Sequence, residues 1–326
     1  MDDSRLEMKF DPHTINHLGL RMYSTLPPAL AEIIANSYDA DAQKVKIVLI
    51  EETTTSDGKG IAKTFPKEIR VEDDGSGLSL EEIKNKFLVI GRNRRQDGDE
   101  PSQKFHRYPT GKKGLGKLAL FGLAETITIT TIKSNYLNEF VLDWKELLQA
   151  SGVYSPRLIR CNEATEMTNG TVISMTNLKR KSSFDVAGIA DSLSRIFILD
   201  DNFVISVVTP KGDSIVVDNL RKYATIEKEF TWNLNDSYLV PTSSRYFGKI
   251  SGELITTKKP IAPSSGLRGI SLFSRGKLVN APEYFSDSAS SHFFQYLTGW
   301  IRADFIDLYP EDVIATNRQS VDWEHP

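Results

Sequence analysis

Glu32 and Asn36 stand four residues apart, the spacing that makes side chains neighbours on a helix surface, and Asp39 follows three residues later. A carboxylate beside a carboxamide suits metal-assisted phosphate chemistry. The amide offers a neutral oxygen to Mg2+, and the carboxylate stays available to orient and deprotonate water. A second group lies in Asp73-Asp74-Gly75-Ser76-Gly77. Alternation along a strand puts Asp73 on the side of Ile69 and Val71, facing an interior, and turns Asp74 outward. A buried carboxylate needs a donor, and the exocyclic amino group of adenine is one. The two glycines would let the backbone approach such a ring. The third group is Gly111-Lys112-Lys113-Gly114-Leu115-Gly116-Lys117. It satisfies Gly-x-x-x-x-Gly-Lys of a P-loop, but the following Leu118 cannot ligate Mg2+. Gly114, Gly116 and Ala119 also satisfy a dinucleotide-fold pattern. Both patterns need a strand just upstream; here polar residues closed by Pro109 precede the glycines, so both are rejected. What survives is a set of glycine turns aiming backbone N–H groups at an anion, beside a helix starting near Leu115. Taken singly, each segment also fits a plain role as a solvated face or a tight turn.

Such side chains need elements to hold them. The spacing predicts a helix over 26–38, with Pro27 and Pro28 in its first turn. Leu30, Ile33, Ile34 and Ser37 form one stripe, opposite Glu32, Asn36 and Asp39. A strand follows over 45–50, then a polar loop over 51–64, then a strand through Ile69 and Val71 that delivers Asp73. Ser79 and Glu82 form a capping box for a helix over 80–87. The polar stretch 92–110 has no periodicity, which at that length means disorder or a working lid. Further strands are expected over 126–131, 170–175, 203–208, 248–256 and 269–273, and a helix over 185–197. The Pro210-Lys211-Gly212-Asp213 cluster reads as a domain boundary. Helices and strands mix without regular βαβ alternation, so the fold class is α+β.

Composition narrows the function classes. The 326 residues suggest about two domains, and 40% hydrophobic with 25% charged residues is ordinary for a globular chain. A net charge of −3 supplies no bulk field for nucleic acid or membrane. Locally, Arg92-Asn93-Arg94-Arg95 and Lys112-Lys113 make a basic stretch that would meet DNA, face phosphates or simply be solvated. The single cysteine, Cys161, excludes an intramolecular disulfide and a cysteine-rich zinc site and fits a reducing compartment. No apolar run approaches the ~20 residues of a membrane span, and the acidic start Met1-Asp2-Asp3 is unlike a secretory signal. The expected location is cytoplasmic, away from membranes. No nuclease-type metal cluster is recognised.

Order and spacing together carry a resemblance. Ala31-Glu32-Ile33-Ile34-Ala35-Asn36-Ser37-Tyr38-Asp39-Ala40, Val71-Glu72-Asp73-Asp74-Gly75-Ser76-Gly77-Leu78, the Gly111 to Lys117 stretch and Gly170-Thr171 resemble the successive motifs of the GHKL ATPases (gyrase, Hsp90, histidine kinase and MutL). The first motif is closest to the MutL and MORC forms. Gly269-Ile270-Ser271-Leu272-Phe273-Ser274-Arg275-Gly276-Lys277-Leu278-Val279 and Asp312-Val313-Ile314-Ala315-Thr316-Asn317-Arg318-Gln319 resemble parts of the Hsp90 middle segment. The resemblance implies a Bergerat-type ATP-binding α/β sandwich over 1–210 and a ribosomal-S5-like transducer over 211–326. It stops at Pro326, where the family continues into another helix, so the chain is expected to be a fragment of a longer protein.

By that resemblance, the chain is an ATPase with ATP and Mg2+. Glu32 is the general base, Asn36 holds Mg2+, and Asp39 joins the nucleotide site. Asp73 reads the adenine amino group, supported by Thr171 through water. Gly75 and Gly77 form the adenine floor, and Gly111, Gly114, Leu115, Gly116 and Lys117 wrap the phosphates. Arg318 stands where the transducer sends a cation to the γ-phosphate, with Lys258 or Lys259 as rivals. The implied cycle is lid closure and N-terminal dimerisation of an Hsp90/MORC-like clamp, an ATP-dependent homodimer acting on DNA or on a protein client. Some members of these branches belong to phage-defence systems. The alternative is a nucleotide-responsive binding module or chaperone-like protein with little hydrolysis. A histidine kinase is disfavoured, because none of His13, His17, His106, His292 and His325 sits on a convincing phospho-acceptor helix.

Overall fold

The computed structural model describes residues 25–56, 62–91, 100–111, 114, 116–150, 153–234, 242–244, 247–285, 292–309, 313–315 and 320–324. The first element is helix α1 (Leu26–Asp39), whose stripe buries Leu30, Ile33, Ile34 and Ser37 while Asn36 is exposed. Asp41, in the left-handed region at φ 61°, stops the helix and turns the chain into β1 (Lys44–Ile50). A hairpin of β2 (Thr53–Ser56) and β3 (Ala62–Phe65) leads to β4 (Glu68–Asp73). Helix α2 (Leu80–Glu82) starts on the Ser79–Glu82 capping box and runs on as a wider π turn over Ile83–Phe87. Past a 3-10 turn at Gly116–Ala119 come α3 (Leu120–Leu123), β5 (Ala124–Lys133), β6 (Tyr136–Asp143), α4 (Trp144–Gln149), β7 (Arg157–Ala164) and β8 (Gly170–Leu178). Helix α5 (Val186–Ile196), capped by Asp185, then precedes the hairpin of β9 (Val204–Val208) and β10 (Ser214–Val217).

These strands form one eight-stranded sheet in the order β10-β9-β1-β4-β8-β5-β6-β7, antiparallel except for the β1–β9 pair. Period-two alternation gives the sheet one apolar face. Val45, Ile47 and Leu49 join Ile69, Val71, Ile127, Ile129, Ile173 and Met175 beneath Leu30, Ile33 and Ile34 of α1 and Ile189 and Leu193 of α5. Burying this continuous face is the main driving force for the layer.

A second, five-stranded sheet has the order β11-β12-β15-β13-β14. Its strands are β11 (Lys228–Asn233), β12 (Ser251–Thr257), β13 (Gly269–Ser274), β14 (Lys277–Glu283) and β15 (Leu297–Arg302). It has two small cores of its own, one on Leu272, Val279, Ala303 and Ile306, the other on Tyr223, Ile255, Ile261 and Leu267. Lys222 is buried against it, its ammonium 4.4 Å from the Phe273 ring centroid and 5.7 Å from that of Trp300. Burial pushes that ammonium down to about 7. The turn between β13 and β14 reaches across to the first sheet's layer. Phe197 forms an antiparallel bridge with Lys277, and the Ile198 N–H donates to the Gly276 carbonyl at 2.8 Å.

The α+β arrangement agrees with the expectation, and several local readings change. The Pro210 to Asp213 cluster is the turn of the β9–β10 hairpin, and β10 stays in the first sheet, so the second sheet begins only at β11. Turn residues mark hairpins as well as linkers, and local composition does not separate the two. The expected polar loop over 51–64 carries the β2–β3 hairpin. Strands β6 and β7 and helix α4 had no counterpart in the reading. Of the stretch 92–110, residues 92–99 lie outside the described residues, while 100–110 is an anchored loop. Asp41 accepts from Ser102 Oγ and from the backbone N–H groups of Lys104 (2.9 Å) and Phe105 (3.2 Å). The buried Arg107 donates to the carbonyls of Tyr38, Ala42 and Asn202 and stacks over the Tyr38 ring at 4.2 Å. These partners are distant in sequence, so no periodicity announces them.

Candidate functional site

The site grows from α1 and the end of β4. Ser37 is the polar member of the buried stripe, and its hydroxyl donates to Asp73 Oδ2 at 2.8 Å. The Gly75 N–H donates to Asp73 Oδ1 at 3.0 Å, and Thr171, the register partner of Asp73 on β8, adds a backbone hydrogen bond. Burial pushes the Asp73 carboxyl above its usual range, and these donors pull it back only in part. Asp73 therefore faces the helix layer, as the alternation predicts. Asp74 is exposed and accepts from the N–H groups of Gln43 (2.7 Å) and Lys44 (2.8 Å). Thr171 Oγ1 lies 3.1 Å from Thr131 Oγ1, and the latter accepts from the Leu78 N–H at 2.9 Å. Gly77 is the tightest point of this turn, at φ 64°, with Ile132 O 1.9 Å from where a Cβ would stand. Only glycine fits there.

The glycine-rich segment lies along the same helix. A Cβ at Gly116 would stand 2.5 Å from Glu32 Oε2, one at Gly111 4.0 Å from Asp39 Oδ2, and one at Gly75 2.8 Å from Ala40 O. Asp39 fixes the entry to the segment by accepting from the Thr110 N–H (2.8 Å) and hydroxyl (2.9 Å). Gly114 is in the left-handed region at φ 61°. Lys117, expected at the phosphates, donates to the carbonyls of Phe87 and Val89, tying the 3-10 turn to the end of the π turn. Glu32, Asn36, Asp39, Asp73, Thr171, Gly75, Gly111 and Gly116 thus share one region around α1, with Gly77 in the turn that follows Asp73. Leu115 and Arg318 lie outside the described residues.

Lys258 pairs with Glu227 at 2.7 Å on the exposed surface, and Lys259 is also exposed. Instead, Lys277 of β14 meets the first sheet's layer. It is only 2% exposed, and its Nζ is 2.8 Å from Glu32 Oε1. The sequence reading gave Lys277 no role. Its available signal was a cation opening a strand directly after the Arg275-Gly276 turn. A separate cavity of about 170 Å³ opens between the sheets, lined by Arg107, Tyr108, Asp200, Arg275, Arg302 and Asp304. Its lining does not include Glu32, Asn36 or Asp73, so the chemistry points to α1 rather than to this cavity.

A mainly antiparallel sheet covered by two helices, with a carboxylate at a strand end and a glycine-rich segment along the first helix, defines a class. Residues 23–171 match the family model described as histidine kinase-, DNA gyrase B- and HSP90-like ATPase, which supports the GHKL superfamily and with it ATP binding. The whole chain is 26% identical, over 357 aligned positions, to a protein of Herpetosiphon aurantiacus that carries the provisional description of a type II restriction enzyme, HgiDII. The chain spans about half, 54%, of that relative's length. Among the described residues no helix is long and apolar enough to cross a membrane.

Proposed function

We propose that the chain binds Mg-ATP between α1 and the end of β4, hydrolyses it, and uses the cycle in a DNA-directed clamp. The observation that carries the reading is the Ser37–Asp73 hydrogen bond, because it locks Asp73 to the helix that presents Glu32 and Asn36. Asp73 has acceptor capacity left for an adenine amino group, and Gly75 and Gly77 let the turn beside it pack closely against the Ala40 and Ile132 carbonyls. Gly111, Gly114, Gly116 and the segment through Lys117 wrap the phosphates. Asn36 fits Mg2+ because it is exposed on the Glu32 face and offers a neutral amide oxygen. Mg2+ favours oxygen ligands and keeps several waters beside substrate phosphates, so a single protein oxygen could suffice to hold it there. When bound, it offsets phosphate charge.

In hydrolysis, Glu32 takes a proton from water as the water oxygen bonds to the γ-phosphorus. The bond to the β–γ bridging oxygen breaks, and its electron pair leaves with ADP. Closure of the glycine-rich segment over the phosphates would form a lid and favour a homodimer, with Arg318 a further cation for the γ-phosphate. DNA is preferred to a protein client because the relative is described as a restriction enzyme. The test measures binding of a fluorescent ATP analogue and phosphate release by the full chain, alone, with duplex DNA, and with an unfolded protein. Wild type is expected to bind and turn over, with stimulation by DNA. Asp73→Ala is expected to lose binding, and Glu32→Ala to bind without turnover. Binding without turnover in wild type would favour a nucleotide sensor, and no binding at all would refute the site.

A further inference from the structure

We propose that Lys277 is a positioning residue for hydrolysis, holding one oxygen of Glu32 so that the other faces the phosphate-wrapping glycines; this rests on the ATPase reading above. The Glu32 carboxylate is divided between two sides. Oε1 is 2.8 Å from Lys277 Nζ, and Oε2 lies toward Gly116, 2.5 Å from the position a Cβ there would occupy. Both side chains are withdrawn from water, at 2% exposure for Lys277 and 14% for Glu32, where an ion pair is poorly screened and its loss strands a charge. A free glutamate has three rotatable bonds, and one oxygen pinned by a buried ammonium removes most of that freedom.

The ammonium itself is held from the second sheet. Lys277 follows the β13–β14 turn, which is fastened on both sides. Ser274 Oγ donates to Asp307 Oδ2 at 2.7 Å, and the Arg275 N–H donates to Asp304 Oδ1 at 2.7 Å. Across the junction, Arg275 Nη1 donates to the Pro109 carbonyl at 2.8 Å, just before the glycine-rich segment. One turn of the second sheet therefore touches both the base and the entry of the segment expected to close on phosphates. Lys277 acts through Glu32: it fixes where the oxygen that receives the water proton stands, while nucleotide affinity is set elsewhere, at Asp73 and the glycines.

The experiment compares single-turnover ATP hydrolysis and ATP-analogue binding for the 326-residue wild-type chain, Lys277→Met, Lys277→Arg, Glu32→Gln and the double variant Lys277→Met/Glu32→Gln. Lys277→Met is expected to slow hydrolysis by about 10- to 100-fold with binding changed less than about twofold, as for a base misplaced by ~1 Å. Lys277→Arg is expected to recover most of the rate. In the Glu32→Gln background the methionine is expected to add less than about a twofold loss. Lys277→Gln, of similar length but uncharged, replaces the methionine variant if that one does not fold, with the same expected direction. An unchanged rate overturns the assignment, as does loss of analogue binding, which would make Lys277 a phosphate ligand. So does an equal fall in both Glu32 backgrounds, which would make it a structural clasp. If wild type binds no nucleotide, the ATPase reading falls and the positioning role falls with it.

Discussion

Alanine at position 116 isolates the placement of the proposed base from the binding of nucleotide. Gly116 opens a 3-10 turn and is not among the positive-φ residues, so alanine meets no backbone strain there. It also keeps the N–H that would face a phosphate. The added Cβ would stand 2.5 Å from Glu32 Oε2, whereas ordinary contact begins at about 3.4 Å, so the oxygen must retreat by roughly 0.9 Å. Its partner oxygen is tied to Lys277 at 2.8 Å, which leaves rotation of the carboxylate as the cheapest retreat. A displacement of ~1 Å at a reacting group can cost about 100-fold in rate. Gly116→Ala is therefore expected to bind an ATP analogue like wild type and to hydrolyse ATP about 10- to 100-fold more slowly in single turnover. Wild-type hydrolysis by Gly116→Ala would refute the placement of Glu32 Oε2 at the chemistry. Loss of binding with a normal melting temperature would instead show that the glycine is needed for the phosphate path.

Two further outcomes concern the scaffold. Gly77→Ala is expected to destabilise the first sheet's layer by about 2–4 kcal/mol, because it combines φ 64° with a Cβ 1.9 Å from Ile132 O; thermal unfolding checks this, and an unchanged melting temperature would refute the geometry. Lys222 concerns the packing of the second sheet. Its value of about 7 in the folded chain, against 10.5, means the unfolded chain holds more protons between those pH values, so stability rises with pH across that window. The attraction of Phe273 and Trp300 for the cation, about 1–2 kcal/mol, opposes part of that cost. Lys222→Met is expected to be more stable at pH 7 by about 2–3 kcal/mol and to lose the slope in urea midpoints up to pH 9. A methionine variant weaker than wild type at pH 7 would show the ammonium to be a favourable part of the packing.

Local pattern alone determined a good deal of this protein. The α1 stripe, the Ser79–Glu82 capping box and the inward turn of Asp73 follow from helical and strand periodicity, which neighbouring residues set among themselves. The three chemistry-bearing segments could also be picked out, because charge, amide and glycine at fixed spacing are visible without a fold. Only tertiary structure decided who meets whom. Lys277 lies 245 positions from Glu32, and Arg107 reaches three carbonyls on α1, the α1–β1 connection and the turn before β9. It also decided that Pro210 to Asp213 turns a hairpin and that the segment before the glycines is anchored rather than loose. Those outcomes depend on contacts between residues far apart in the chain. Such contacts form when two apolar faces are buried together, and a linear pattern carries no record of which distant cation that burial brings to a given carboxylate.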